Sequence, residues 1–332
     1  MPPLVVTMGE PAGIGGEIAL KAWLGRGAGV PPFYLIDDPD RLAALARRLG
    51  WRVPVRPIGA PEETLGVFAE ALPIAPIGVA LHGRPAHSDP ADTPAILGAI
   101  ETAVRDVMSG RAAALVTNPI HKDSLYRAGF RYPGHTEYLG ALAGIATTPV
   151  MMLVCPSLRV VPVTVHLALR QAIQDLCAPA IVHAGCVTAT ALRQNFGIAA
   201  PVLAVAGLNP HAGEAGGLGR EEIEIIGPAI AELRAAGIDA RGPLAADTMF
   251  HVEVRRSYDA ALCMYHDQAL IPIKTIDFHG GVNVTLGLPF VRTSPDHGTA
   301  FAIAGRGVAR AESLIAALRL AAAMAAKRMV AD

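Results

Sequence analysis

The sequence predicts an α/β protein of two α/β/α domains with mainly parallel sheets, on three observations. Short apolar runs alternate with helical patterns along the chain, the βαβα rhythm that gives parallel strands covered by helices on both faces. Its 332 residues exceed what a single core usually holds, so two domains are expected. Hydrophobic residues make up 52% and charged residues 17%, enough for two cores. The net charge of −1 offers no electrostatic case for nucleic acid or an anionic membrane, so basic groups used in binding must be few and local. Cys155, Cys177, Cys186 and Cys263 form no CxxC pair and read as small core residues in a reducing cytoplasm. The N-terminus has no charged region before its first strand, so no signal peptide is expected. The Ala/Leu-rich run 313–330 is interrupted by Arg319, Lys327 and Arg328, which reads as an amphipathic surface helix and not a membrane span.

Taken in order, Leu4 to Met8 is a strand, followed by the turn GEPAGIGGE and a helix through about Trp23. In that turn Pro11 and Gly13 allow a tight bend whose following amides can face an anion, or form a plain strand-to-helix connection. Phe33 to Ile36 is a strand, 39–49 a helix, and a further strand lies near Val53. Asp92 or Thr93 can cap a helix that runs to Ser109, and 113–116 is a strand ending in Thr117-Asn118-Pro119. Thr136 reads as an N-cap. Strands follow at 150–154, 160–165, 202–206 and 260–264, with helices at 178–195 and 221–236 between them. No internal repeat or low-complexity linker marks a boundary.

The chemistry concentrates between Ala260 and Gly298. Tyr265-His266-Asp267-Gln268 stands at the carboxyl end of an apolar strand, where open α/β sheets place their ligands. Lys274, Asn283 and Arg292 follow at nine-residue steps, among glycines and prolines that favour turns over long helices. A lysine, an amide and a guanidinium converging would suit a phosphate or carboxylate; the alternative is ordinary surface loops with scattered charge. His166, His211 and His266 each follow an apolar β-run. Strand-end histidines can converge on Zn²⁺ or a similar divalent ion, yet with eleven histidines and no HExxH pair, three unrelated residues remain the other reading. No G-x-G-x-x-G follows any candidate strand, which argues against an ordinary Rossmann site.

The stretches VTMGEPAGIGGEIALKA, VTNPIHK, YPGHTEYLG, GLNPHAGEAGGLGREE, GPLAADTMF, YHDQALIPIK and NVTLGLPFVRTSPDHGTAFAIAG resemble the 4-hydroxythreonine-4-phosphate dehydrogenase family of pyridoxal phosphate biosynthesis, in order over nearly the whole chain. SPDHGTAFAIAGRG also resembles a loop of the isopropylmalate and isocitrate dehydrogenases. The resemblance implies an isopropylmalate dehydrogenase-like pair of domains, 1–130 with 290–332 and 131–289, with an active-site cleft between them and a dimer interface and metal ligands on the second. It implies His166, His211 and His266 as ligands of one divalent ion per site (zinc, magnesium or cobalt), shared between the chains of a cytoplasmic homodimer. His135, Thr136, Lys274, Asn283 and Arg292 would hold the phosphorylated substrate. Ser294, His297, Gly298, Thr299 and Gly305 would serve the nicotinamide cofactor, NAD or NADP. Asp247, Asp267 and Lys274 are the catalytic candidates, although the two aspartates could equally orient a histidine or cap a turn. Gly16 stands where the family usually has proline, and Leu167-Ala168 replaces an apolar-proline pair. Ala302 stands where relatives often carry an aspartate for the adenosine ribose, so NAD against NADP stays open. The same parts would also serve a paralogue acting on a phospho-threonate, a phospho-erythronate or a dihydrodiol carboxylate. Metal histidines beside a phosphate clamp would further suit a phosphohydrolase, or a protein that only binds a metabolite.

Overall fold

The computed structural model describes residues 1–132 and 134–331. Its strands are β1 (Leu4–Thr7), β2 (Phe33–Asp37), β3 (Val55–Pro57), β4 (Leu72–Pro76), β5 (Leu115–Thr117), β6 (Val150–Cys155), β7 (Leu158–Pro162), β8 (Val202–Ala206), β9 (Asp239–Leu244), β10 (Ala260–Cys263), β11 (Val282–Leu286) and β12 (Arg292–Pro295). The helices are α1 (Gly15–Leu24), α2 (Pro39–Arg48), α3 (Thr64–Val67), α4 (Thr93–Met108), α5 (Lys122–Arg127) and α6 (His135–Leu142), then α7 (Leu169–Asp175), α8 (Ala178–Phe196), α9 (Gly227–Ala235), α10 (Ala246–Met249), α11 (His266–Ile276) and α12 (Glu312–Ala331). The chain divides into two compact units: Met1–Thr148 with Leu288–Ala326, and Pro149–Gly287 with the residues from Lys327 onward.

The first unit has strands in the order β3-β4-β2-β1-β5-β12, parallel at every pairing. Its strands are buried on both faces: Leu4, Val5, Val6, Phe33, Tyr34 and Leu35 are all sealed from solvent. That is the continuous apolar pattern of a helix-covered parallel sheet. One face packs on α4 through Ile96, Ile100 and Val104. Tyr138 and Leu139 of α6 join the same core, which places 131–148 in this unit rather than in the second, where the sequence reading had them.

The second unit orders its strands β11-β6-β7-β10-β8-β9. Here β7, β10, β8 and β9 run parallel, while β6 is antiparallel to both β7 and β11. Only Pro156 and Ser157 separate β6 from β7, too few for a crossover, so the pair closes as a hairpin. Leu153, Val160, Ala204, Ala261 and Ile273 form its core.

Three local expectations need correction. Lys274 lies on an eleven-residue helix, α11, and not on a loop. Ala269 and Ile273 bury one face of that helix, and this outweighs the backbone bond lost at Pro272. Thr136 is inside α6, whose N-cap is Gly134. Asp92 occupies the N-cap position of α4 without capping it, because its carboxylate accepts from the amides of His82 (2.7 Å) and Gly83 (2.8 Å). Of the cysteines, Cys155 and Cys263 are buried, whereas Cys177 is exposed. Among the described residues no single helix is long and apolar enough to cross a membrane.

Candidate active site

The parallel register of β7 and β10, Ala261 opposite Val160 and Cys263 opposite Pro162, brings their carboxyl ends out side by side. Two hydrogen bonds extend the pairing: the Val163 amide donates to the Cys263 carbonyl, and Thr164 Oγ1 to the Met264 carbonyl, each at 2.8 Å. Both chains then turn outward at a histidine. The rings of His166 and His266 have centroids 5.7 Å apart and line a cavity of about 230 Å³ with Thr164, Leu167, Tyr265 and Asp267. His266 Nδ1 is 2.7 Å from Asp267 Oδ1, a contact that fixes the ring and leaves Nε2 for another partner. His166 sits in the left-handed region at φ 54°, a backbone conformation that non-glycine residues adopt at a cost and that clusters at functional sites.

Gln268 holds this corner together. Buried in the first turn of α11, it accepts from the Met264 amide (2.6 Å) and donates to the Gly207 carbonyl (2.7 Å), tying the end of β10 to the end of β8. Beyond Gly207 the chain makes a turn of the opposite hand. His211, Ala212, Gly213, Glu214 and Ala215 all have positive φ, between 43° and 80°. The buried Glu222 carboxylate anchors it, accepting from the amides of Leu208 and Asn209 (2.7 Å each) and from Asn209 Nδ2 (2.9 Å). His211 is exposed on this turn and is not part of the wall shared by His166 and His266. Asp247, on α10, packs beside the same turn and is exposed. Among the described residues of one chain, no three His, Cys, Asp or Glu side chains lie close enough to hold a metal ion.

Two of the three histidines thus meet. Rings on one tetrahedral ion, with metal–nitrogen bonds of about 2 Å, would have centroids roughly 5 Å apart, so the His166–His266 spacing fits a shared divalent ion. The donor set, imidazole beside carboxylate, suits a borderline metal. Along α11, Lys274 shares a second, open cavity of about 530 Å³ with His266, Asp267, Leu270 and Phe278. Its Nζ stands 5.8 Å from the Phe278 ring centre. Asn283 is half-buried on β11, opposite Leu153, and lines neither cavity.

In the first unit the polar groups gather at the strand ends of β1, β5 and β12. Arg292 is buried and donates from Nη2 to Thr117 Oγ1 at 2.5 Å; burial lowers its pKa to about 10. His135 Nε2 is sealed from solvent with no hydrogen-bond partner among the described residues. Burial, then the nearby charges of Arg292 and Lys122, holds this imidazole well below its ordinary pKa, so it is neutral near pH 7. Asn118 is fully buried with both ends of its amide unpaired, as are Thr7 Oγ1 and Glu10 Oε2. Buried polar atoms left open in this number are what a polar ligand satisfies.

The loop expected to serve the nicotinamide cofactor is in the same unit. Ser294 is buried on β12, and the Thr299 carbonyl accepts from the Ile14 amide at 3.1 Å. His297 Nδ1 lies 3.0 Å from the Gly298 carbonyl while its Nε2 is sealed and unpaired, one more open polar group that fits a polar cofactor. Glu17 is wholly buried and accepts from the amides of Gly305 and Gly307. One turn later Lys21 donates to the carbonyls of Gly307 (2.9 Å) and Ala309 (2.5 Å). Gly305 also borders a cavity of about 220 Å³ with Glu17, Arg41 and Arg48.

Comparison with known proteins decides the family. The model of the pyridoxal phosphate biosynthetic protein PdxA matches residues 30–321. The chain belongs to the PdxA family. It is 54% identical to a 4-hydroxythreonine-4-phosphate dehydrogenase of Bradyrhizobium diazoefficiens, covering 98% of each chain. It is 54% identical to one of Caulobacter vibrioides, covering 99% of each. A crystal structure of the 4-hydroxythreonine-4-phosphate dehydrogenase from Klebsiella pneumoniae superposes with a TM-score of 0.87 at 38% identity, over 98% of this chain and 100% of that one. Within this PdxA-family chain, Gln268 was read as a possible ligand, whereas it ties β10 to β8. Glu222 and Glu17 escaped the sequence reading: each lies inside a stretch that resembles the family, but only the loop amides it accepts from, 288 and 290 residues away for Glu17, show what the side chain does.

Proposed function

We propose that the protein oxidises 4-hydroxythreonine 4-phosphate with NAD or NADP to 2-amino-3-oxo-4-phosphooxybutanoate, which loses CO₂ to give 3-amino-2-oxopropyl phosphate for pyridoxal phosphate biosynthesis. The observation that carries this reading is the meeting of His166 and His266 beside Asp267 at adjacent strand ends. It occurs in a chain about half identical, over its whole length, to proteins of that name. His166, His211 and His266 would hold a divalent ion, which when bound would acidify a hydroxyl and stabilise negative charge on oxygen, while Ser294, His297, Gly298, Thr299 and Gly305 would hold the nicotinamide that accepts the hydride. Asp267 orients His266, and Asp247, Asp267 or Lys274 takes the proton from the substrate hydroxyl. His135, Thr136, Lys274, Asn283 and Arg292 bind the phosphorylated substrate away from the reacting carbon. Binding energy there orients that carbon.

A second copy of the chain completes the metal site by lending a histidine. Exposed apolar side chains favour such a partner: Leu167, Leu169 and Ile173 next to His166, Ile271 on α11 and Phe278 just past its end, the last two 64% and 70% exposed. The working compartment is the cytoplasm. Turnover assays on 4-hydroxythreonine 4-phosphate with NAD and with NADP, with and without a chelator, test the reading. Metal-dependent formation of reduced nicotinamide is expected. Faster turnover of a phospho-threonate or a dihydrodiol carboxylate would move the protein to a paralogous branch, and release of inorganic phosphate without reduced cofactor would make it a hydrolase.

A further inference from the structure

Lys122 opens α5 within VTNPIHK, five residues beyond β5. It is exposed and has no hydrogen-bond or ion-pair partner among the described residues. Its ammonium nevertheless has a definite place. A Cβ on Gly134 would stand 3.3 Å from Lys122 Nζ, so the nitrogen rests against the start of α6. Gly134 gives α6 no side-chain cap, which leaves the first-turn amides of that helix without one. The charges of Arg292 and Lys122 both depress the His135 imidazole, so both cations are near that ring. The carboxylate at hand, Glu137 Oε2, lies 3.4 Å from the same Cβ position, yet no ion pair joins it to Lys122.

We propose that Lys122 is a substrate-binding residue, the second cation of the first unit's phosphate site, and that it sets a preference for a dianionic phosphate over a singly charged carboxylate. The inference rests on the reading of Arg292 and His135 as phosphate ligands. Arg292 is buried and held by Thr117, so it presents one fixed charge. A phosphate ester carries nearly two negative charges at neutral pH, and the first unit's single guanidinium offsets only part of them. An exposed lysine beside uncapped helix amides supplies the remainder without burying a second cation. The neutral His135, its Nε2 open, adds a hydrogen bond and no further charge.

Steady-state kinetics and calorimetric binding of inorganic phosphate, on wild type, Lys122→Ala, Lys122→Arg and Arg292→Ala, test this. Lys122→Ala should raise the KM for 4-hydroxythreonine 4-phosphate and the Kd for phosphate about tenfold while kcat stays within about twofold, and Lys122→Arg should restore most of the loss. Both constants within about twofold of wild type in Lys122→Ala, with Arg292→Ala raising both, would overturn the role of Lys122 and leave the phosphate site standing. No change in either alanine variant would remove the phosphate-site reading itself, and the inference with it. A wild type that does not turn over the substrate leaves phosphate binding to decide Lys122 separately from the activity.

Discussion

Arg292 is 4% exposed, a cation kept inside the protein on the first residue of β12. Even lowered to about 10, its pKa leaves it charged at neutral pH. Losing a charge-assisted hydrogen bond costs about 1.5–3 kcal/mol, roughly ten- to hundredfold in binding. Arg292→Ala should therefore raise the KM for the phosphorylated substrate by that factor and hardly change binding of a phosphate-free analogue; equal losses for both would mean that the side chain only supports the fold. His135 gives a pH signature. Its folded-state pKa lies below the ordinary 6.5, so the unfolded chain takes up the proton first. Stability is unaffected well above that value and declines as pH falls through it toward the folded value. Urea midpoints at about pH 7.5 and about pH 5.5 should drop less in His135→Gln than in wild type. At this scale the sequence told which side chains to watch and little about their state. Nothing local to YPGHTEYLG says that Nε2 will be sealed, and the cations that shift the ring, Lys122 and Arg292, lie on α5 and β12.

The hydrogen bonds at the end of β10 determine where His266 and the turn beyond β8 begin. Gln268→Ala would strand the Met264 amide and the Gly207 carbonyl, each at about 1–3 kcal/mol. A fall of about 2–6 kcal/mol in unfolding free energy from denaturant curves is expected, with Gln268→Glu recovering part of it; an unchanged midpoint would mean that water replaces both bonds. Strands were legible where apolar runs were continuous, as in β1, β2, β8 and β10. β9, β11 and β12 were not, since Arg241, Pro243, Asn283 and Arg292 break the apolar pattern inside them. α11 was hidden by Pro272, and the reversed turn from His211 to Ala215 has no pattern to read. Its alanines and glutamate are ordinary helix formers, held in the other hand by Glu222 and the glycines around it.

For the whole molecule, the pairing of His166 with His266 inside one chain bears on how a shared metal site would be divided. If His211 comes from the second copy, a dimer of His166→Ala with His211→Ala holds one site with all three ligands and one with neither mutated position intact. Mixing the two inactive variants should restore part of the activity. The pair His166→Ala and His266→Ala should restore none, because both lost ligands belong to the same chain's contribution. Recovery in the second mixture but not the first would reverse that division. Two domains followed from length alone, but their edges did not. The first boundary lies beyond α6 because Tyr138 and Leu139 are apolar side chains of the first core, a fact that depends on α4 being beside them.

The first unit is assembled from both ends of the chain, and all of the second but the residues from Lys327 onward runs from Pro149 to Gly287. A ribosome therefore delivers nearly all of the second unit while the first still lacks β12 and its part of α12. Until then Leu115 and Val116 of β5 have no neighbour on that side of their sheet, and Thr117 has no guanidinium to accept from. The nascent protein thus has most of its histidine-bearing unit before it has Arg292, and if Arg292 holds the phosphate, that ability matures among the last of its properties.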